Sequence, residues 1–213
     1  MEMFQTAAQL VFGGLKIYEW IIIIAILLSW VQPDPSNTLV RFFNRMTLPF
    51  WGWVGGRLPG RMQLFSAYVS LLIVWFLQIF LPGTLVVLGA FASDRIGLGG
   101  VPEPVLGYFL LGTSVVVRNL LSFIAILMLV WFFMTLINPS INNPIVRTVY
   151  FLVDPFITPL QKRLPRGRMD ISPLLVAAAF FLINMYVIAW VMRLGLEMIS
   201  ISASGTALPM RTL

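Results

Sequence analysis

Four long apolar stretches dominate the chain, and each is about as long as the hydrocarbon core of a bilayer is thick. A helix needs ~20 mostly apolar residues to cross that core. The stretches are Leu10–Val31, Leu64–Leu81, Asn119–Ile137 and Leu174–Val191. They predict an all-α membrane protein with about four transmembrane helices.

Two of these stretches have apolar extensions whose path the sequence leaves open. Pro82 and Gly83 follow the second stretch, so we expect the helix to bend or end there, before the apolar tail Thr84–Phe91. Val105–Val117 precedes the third stretch, and one helix through both would extend ~50 Å at 1.5 Å per residue. Because this length exceeds the membrane thickness, we expect tilt, a break near Arg118, or an interfacial lead-in.

The loops between the stretches differ sharply in charge. The loop Gln32–Gln63 and the loop Asn138–Asp170 carry most of the basic residues, whereas Ala92–Pro104 holds Arg95 against Asp94 and Glu103. The basic residues are Arg41, Arg45, Arg57 and Arg61 in the first loop, and Arg147, Lys162, Arg163, Arg166 and Arg168 in the second. The positive-inside rule predicts that both basic loops are cytoplasmic and both termini extracytoplasmic.

Composition narrows the chemistry further. Hydrophobic residues make up 59% of the chain and charged residues only 10%, against roughly 25% charged in soluble domains. Cysteine and histidine are absent, which excludes disulfides, thiol catalysis, Cys/His zinc sites and imidazole ligation of haem. The net charge of +6 lies mainly in the two basic loops, so it favours anionic phospholipid over nucleic acid as a partner. We expect no cofactor, no metal and no enzymatic activity.

The two basic loops are copies of one another. A shift of 106 residues aligns Pro33–Ser66 with Pro139–Ser172 without a gap, and ten of the 34 aligned pairs are identical, where about two are expected at a typical residue frequency of roughly 6%. Each copy contains two apolar stretches, so both copies start on the same side and the repeats are parallel. The predicted domains are a first repeat at 1–91, a linker at 92–104 and a second repeat at 105–213.

The duplicated segments resemble the tandem repeat of the YggT family of bacterial membrane proteins. They read SWVQPDPSNTLVRFFNRMTLPF in the first copy and NPSINNPIVRTVYFLVDPFITPLQKRLPRGRMDISP in the second. The second copy fits the family pattern best, whereas the first has Leu48 in place of Asp154 and Leu64 in place of Asp170. The residues that carry this structural motif are Asn37, Pro49, Phe50, Asn143, Pro144, Asp154, Pro155, Phe156, Asp170, Ser172 and Pro173.

Each copy also predicts a short helix on the cytoplasmic membrane surface. Asn37 and Asn143 are placed as N-caps, and Pro144 and Pro173 are placed at first helical positions, the latter after a capping Ser172. The stretches Leu39–Met46 and Ile145–Val153 are apolar and basic, too short to span, and we expect Pro49 and Pro155 to stop them.

Two interpretations of the loop charges stay open. The basic residues either bind anionic lipid or a partner protein, or they only determine topology. Asp154 is expected to hold a turn and Asp170 to favour the start of the fourth helix, or both form a salt-bridged turn that fixes the two loops against one another.

Three charged residues lie within the apolar stretches. Lys16 and Glu19 are three residues apart on one helical face, so they form a structural pair or handle ions or protons. Arg118 is expected to snorkel to the outer interface. Polar residues of the spans are expected to hydrogen-bond between helices: Ser70, Gln78, Asn119, Ser122 and Asn184.

The sequence favours one function and leaves a second open. The chain is expected to be a non-enzymatic scaffold or assembly factor for membrane protein complexes or cell-envelope processes; the alternative is a small ion-transport or osmotic-homeostasis component. The resemblance implies the first, because plastid relatives act in cytochrome maturation and some bacterial relatives in cell division or chromosome distribution, and it also implies the second through a relative linked to osmotic stress and potassium uptake. Other membrane proteins and a second copy of the chain are the expected protein partners.

Overall fold

The computed structural model of the protein describes residues 2–31, 34–137, 143–162 and 171–202, without the side chains at 61, 64, 144, 201 and 202. All regular structure in these ranges is helical. The α-helices are α1 (Glu2–Val31), α2 (Thr38–Gly55), α3 (Ser66–Ala92), α4 (Pro102–Ile137), α5 (Pro144–Gln161), α6 (Ser172–Leu182) and α7 (Ala189–Ser202). Short 3-10 helices cover Gly60–Phe65 and Leu98–Gly100, and a π-helical turn, Ile183–Ile188, joins α6 to α7.

The prediction of four membrane-crossing helices is confirmed. The helical segments long and apolar enough to cross a bilayer are Glu2–Val31, Ser66–Ala92, Leu98–Ile137 and Ser172–Ser200. Their exposed surface is largely apolar, as expected where lipid tails rather than water cover a helix. The chain is therefore an all-α, multi-pass membrane protein.

Helix α3 passes through Pro82, so the expectation that the second span could end there is wrong. The helix continues for ten residues to Ala92, because packing replaces what the proline removes. Gly83 lies directly against the ring of Tyr108 from α4, and the hydroxyl of Thr84 donates to the carbonyl oxygen of Leu81 at 2.9 Å. Hydroxyl side chains and neighbouring helices compensate prolines in this way inside membranes.

Helix α4 is continuous over 36 residues, so the break near Arg118, one of the three alternatives left open by the sequence, is absent. Its two glycines could weaken it, but each is placed where another residue approaches closely. A Cβ at Gly107 would lie 2.7 Å from the backbone oxygen of Gly195, and a Cβ at Gly112 would lie 3.0 Å from the ring of Phe76. These contacts support α4 in the apolar piece before Arg118, whose path the sequence pattern left open.

The two short helices are twice as long as predicted, since neither Pro49 nor Pro155 ends its helix. Both α2 and α5 run for 18 residues and carry their prolines internally, with a second proline, Pro159, in α5. A proline at position i removes the hydrogen bond to the carbonyl of residue i−4. Here those carbonyls belong to Arg45 and Phe151, which lie on the exposed side of each helix, where other donors can reach them.

The start of α6 also differs slightly from expectation. Ile171 occupies the N-cap and makes no side-chain cap, so Ser172 and Pro173 are the first two helical residues. Both are buried. The predicted capping role of Ser172 is therefore wrong, and its side chain lies in the interior of the protein.

The chain forms two compact units, and both contain segments of α1, α3 and α4. One comprises the described residues within Met1–Trp20, Val69–Val116 and Ala189–Leu213, and the other Ile21–Tyr68 and Val117–Ile188. The core of the first unit is formed by Val87, Tyr108, Leu111 and Ile199. The core of the second is formed by Leu127, Met128, Val149, Val153, Ile157 and Ala177.

Candidate functional site: two amphipathic helices and the polar contacts of the spans

Helix α2 has three distinct faces. Residues of an α-helix advance by roughly 100°, which places Val40, Thr47 and Val54 on one line, and all three are buried. A second line is apolar but exposed, and a third holds the two exposed arginines Arg41 and Arg45. The exposed apolar line consists of Leu39, Phe42, Met46 and Trp53. The three faces are roughly 120° apart, so the helix has one side packed in the protein, one exposed apolar side and one exposed basic side.

Helix α5 repeats this plan with a different third face. Its buried line consists of Val146, Val149, Val153 and Ile157, and after the shift of 106 residues Val146 and Val153 coincide with the buried Val40 and Thr47 of α2. Its polar face holds Arg147, Asp154 and Thr158 where α2 has Arg41, Leu48 and Gly52. The aromatic rings of Tyr150 and Phe151 border this face, and both are about half exposed or more. The two copies thus share their packing and differ in their surface chemistry.

The ends of the two helices are fixed by the predicted caps and by one arginine. The side chains of Asn37 and Asn143 accept hydrogen bonds from the backbone N–H groups of Leu39 and Ile145, both at 2.9 Å. At the C-terminal end of α2, the guanidinium of Arg57 lies 3.7 Å from the ring centroid of Trp53 and donates to its carbonyl oxygen at 2.9 Å. A cation at this end also complements the helix dipole.

Asp154 lies inside α5 and not in a turn, so the predicted turn is wrong. Its carboxylate accepts a hydrogen bond from the hydroxyl of Thr158 at 2.7 Å, one helical turn further along. The hydroxyl of Tyr150 also bonds to Asp154, and the nearby negative charge raises the pKa of this tyrosine. Tyr150, Asp154 and Thr158 therefore form a continuous polar ladder on the surface of α5.

Aromatic contacts connect the described parts of the two loops, and the salt-bridged turn stays a prediction because Asp170 lies outside the described residues. Phe65, which ends the 3-10 helix of the first loop, stacks on Phe151 of α5 with ring centroids 6.2 Å apart. Phe156 meets Phe180 of α6 edge to face, and Trp131 of α4 contacts Tyr150. These rings therefore pack against α5 from α4, α6 and the first loop.

In the first unit, Glu19 is a buried carboxylate with a complete set of donors. Its Oε2 accepts from Lys16 Nζ and from Gln78 Nε2, each at 2.8 Å, and its Oε1 accepts from Trp75 Nε1 at 2.9 Å. Gln78 also reaches the carbonyl oxygen of Leu15 at 3.3 Å. The expected pairing of Lys16 with Glu19 is confirmed, and the carboxylate joins α1 to α3.

In the second unit, Asn184 joins the π-helical turn to α4. Its Nδ2 donates to Ser122 Oγ at 3.0 Å and to the carbonyl oxygen of Arg118 at 3.3 Å, whereas its buried Oδ1 has no hydrogen-bond partner in the described part of the chain. The side chain of Arg118 is exposed. Interhelical hydrogen bonding was predicted for Ser122 and Asn184, and it is confirmed.

Several predicted site residues have no structural account here. Arg163, Arg166, Arg168 and Asp170 lie outside the described residues, as do the side chains of Arg61 and Pro144. Pro49 and Phe50 are described and lie on α2, where the ring centroids of Phe50 and Trp53 are 6.1 Å apart. Lys162 follows the last residue of α5.

The sequence interpretation missed Trp75 and Tyr68. Both make a hydrogen bond from α3 to α1: Trp75 through Glu19, and Tyr68 by accepting from Trp30 Nε1 at 2.9 Å. The signal for Trp75 was its spacing of three residues from Gln78, which puts both on one face of α3.

The helices define a multi-pass membrane protein. One long helix, one amphipathic helix and a second long helix follow one another, and this series occurs twice along the chain. The CCB3/YggT family model matches residues 4–85 and again residues 110–191, one match for each copy. The chain therefore belongs to the CCB3/YggT family, and the predicted family and tandem repeat are confirmed. Neither a curated protein nor a solved structure matches the chain.

Proposed function

We propose that this protein is a non-enzymatic scaffold or assembly factor of the bacterial inner membrane, with both amphipathic helices on the cytoplasmic side. The observation that carries the proposal is the surface of α5. This helix is fixed by Val149, Val153 and Ile157 in the core of the second unit, and it presents rings and charges on its outer side. A rigid helix with exposed aromatic and charged side chains is suited to contact another protein.

The polar groups of the spans support a structural role over a transport role. Glu19 engages three donors and Asn184 engages two acceptors, so these groups hold helices together. A conducting path needs polar groups along the length of a span. The described spans instead carry isolated polar contacts between apolar stretches.

Site-specific photocrosslinking in living cells tests the scaffold directly. We expect a photoreactive phenylalanine analogue at Phe151, whose side chain is 63% exposed, to give a discrete adduct with a second membrane protein. The analogue retains the aromatic ring that stacks on Phe65. The matched control is the same analogue at Phe133 of α4, which is 59% exposed on an apolar span and is expected to crosslink lipid alone.

The protein captured at position 151 is then purified with the unmodified chain in mild detergent. A stoichiometric complex that is lost in the Arg147→Glu variant supports the proposal. Identical adduct patterns at positions 151 and 133, with no complex in detergent, would show that the chain does not act through α5.

A small ion-transport component is the second candidate, and the Lys16–Glu19 pair within a span is the observation that favours it. Ion flux into liposomes separates the two candidates. Flux that disappears in Glu19→Gln or Arg118→Gln variants, while the variants still fold, supports transport. The scaffold predicts no flux above that of protein-free liposomes in any of the three proteins.

A further inference from the structure

We propose that α2, unlike α5, is a binding site for anionic phospholipid, with Arg41 and Arg45 as its headgroup ligands. The two guanidinium groups follow one another on the same face, one helical turn apart, and both side chains are exposed. Like charges four residues apart repel. A phosphate between them would remove this repulsion and accept a hydrogen bond from each.

Nothing on α2 itself neutralises these arginines. The 18 residues from Thr38 to Gly55 include no aspartate or glutamate, and neither Arg41 nor Arg45 makes a salt bridge within the described ranges. The carboxylate of Asp34 lies before the helix and already accepts a hydrogen bond from the backbone N–H of Ser36 at 2.8 Å. Within the described ranges, therefore, no acidic side chain serves as the counter-ion of this face.

The exposed apolar face of α2 indicates that this counter-ion belongs to a lipid. Leu39, Phe42, Met46 and Trp53 form a line beside the basic face, and their side chains are 46–66% exposed. A helix that places one apolar side in the acyl region and an adjacent basic side at the headgroups lies in the membrane interface. The same molecule can then contact both faces, with its chains on the apolar line and its phosphate at the arginines.

Arg57 has a different role from Arg41 and Arg45. Its guanidinium covers the ring of Trp53 and bonds to the carbonyl at the end of the helix, so it fixes the apolar face and does not need an added anion. In α5, by contrast, Asp154 lies on the same face as Arg147, where α2 has Leu48. The acidic residue weakens the attraction of this second face for phosphate.

The test uses the full chain in phosphatidylcholine vesicles that contain spin-labelled phosphatidylglycerol or spin-labelled phosphatidylcholine. The ratio of the motionally restricted fractions gives the preference for the anionic lipid. The Arg41→Gln/Arg45→Gln double variant removes two charge-assisted hydrogen bonds to the phosphate, so it should lower this preference by at least about fivefold. Helix content and melting temperature establish that the variant folds.

The matched control removes the same amount of charge from the other copy. Arg147→Gln/Lys162→Gln is expected to leave the preference within about twofold of the unmodified protein, because α5 supplies little of it. Equal losses in the two double variants would show a general charge effect and overturn the proposal. No loss in either would also overturn it and leave an acidic protein segment as the occupant of the basic face.

Inorganic phosphate, added at constant ionic strength, distinguishes a lipid headgroup from a free anion. We expect it to leave the lipid preference unchanged, because the apolar face contributes to binding the intact lipid. If inorganic phosphate abolishes the preference, the site binds free phosphate and the lipid assignment is wrong. The measurement does not depend on a protein partner, so its failure and that of the scaffold are separate results.

Discussion

At the scale of single residues, the spans are held together by a few polar contacts that are satisfied by specific neighbours. A carboxylate in an apolar environment is costly unless donors surround it. Glu19 is 7% exposed and has donors from its own helix and from α3 on both oxygens. Its position is therefore explained by helix association without any transported ion.

Removing the Glu19 carboxylate should destabilise the protein more than removing the ammonium group of Lys16. Glu19→Ala leaves Trp75 Nε1 without an acceptor and leaves Gln78 Nε2 only the longer bond to the carbonyl oxygen of Leu15, and hydrogen bonds to charged groups are worth about 2 kcal/mol each. We expect a loss of at least about 2 kcal/mol in the free energy of unfolding, measured by thermal unfolding in nanodiscs. Lys16→Gln is the control, with a loss below about 1 kcal/mol, because the lysine side chain is half exposed. The reverse order would contradict this assignment.

A second prediction at this scale concerns the polar ladder of α5. The charge of Asp154, and its hydrogen bond, raise the pKa of Tyr150 above the ordinary value of 10.0. Asp154→Asn should lower the Tyr150 pKa towards that value, because the neutral amide no longer opposes the phenolate. The Tyr150 signal is assigned with Tyr150→Phe in a tyrosine-selective NMR titration. A raised folded-state pKa contributes stability below pH 10.0, and this contribution is lost as the pH rises through the folded value. An unchanged Tyr150 pKa in the variant would rule out the contact.

At the scale of elements, close helix contacts decide what the hydrophobic pattern cannot. The pattern located the four spans, the caps Asn37 and Asn143, and the amphipathic helices, since each depends on residues near in sequence. It misplaced the ends of α2, α3 and α5, because prolines stop isolated helices but not helices that packing or solvation supports. Two contacts, Tyr108 with Gly83 and Phe65 with Phe151, join residues that are distant in sequence. The local hydrophobic pattern therefore cannot predict them.

Glycine substitutions test these contacts. Gly107→Ala should destabilise the protein by about 2 kcal/mol, because the new methyl group would lie 2.7 Å from the backbone oxygen of Gly195 and the helices would have to move apart. Gly13→Ala in α1 is the matched control, since no atom lies within 4 Å of its added Cβ. The control should be neutral or stabilising by up to about 1 kcal/mol through helix propensity. Unfolding in nanodiscs measures both variants, and equal effects would show that α4 and α7 do not approach closely at Gly107.

At the scale of the whole molecule, duplication gives two similar frameworks with different surfaces. The family model matches each copy once, and after the shift of 106 residues the buried Val40 and Thr47 of α2 coincide with the buried Val146 and Val153 of α5. The surface residues diverged: Arg45 corresponds to Phe151 and Leu48 to Asp154. This division agrees with one copy that binds lipid and one that binds protein, and the proposal places both helices on the same side of the membrane.

Labelling of introduced cysteines tests that requirement most directly, because the chain has no cysteine of its own. Single substitutions Thr38→Cys in α2, Lys162→Cys after α5 and Ala92→Cys at the end of α3 all fall on exposed positions. With a membrane-impermeant maleimide, intact cells should label position 92 alone, and permeabilised cells should label all three. If positions 38 and 162 react from opposite sides of the membrane, the two copies are not parallel and the proposed arrangement of α2 and α5 is wrong.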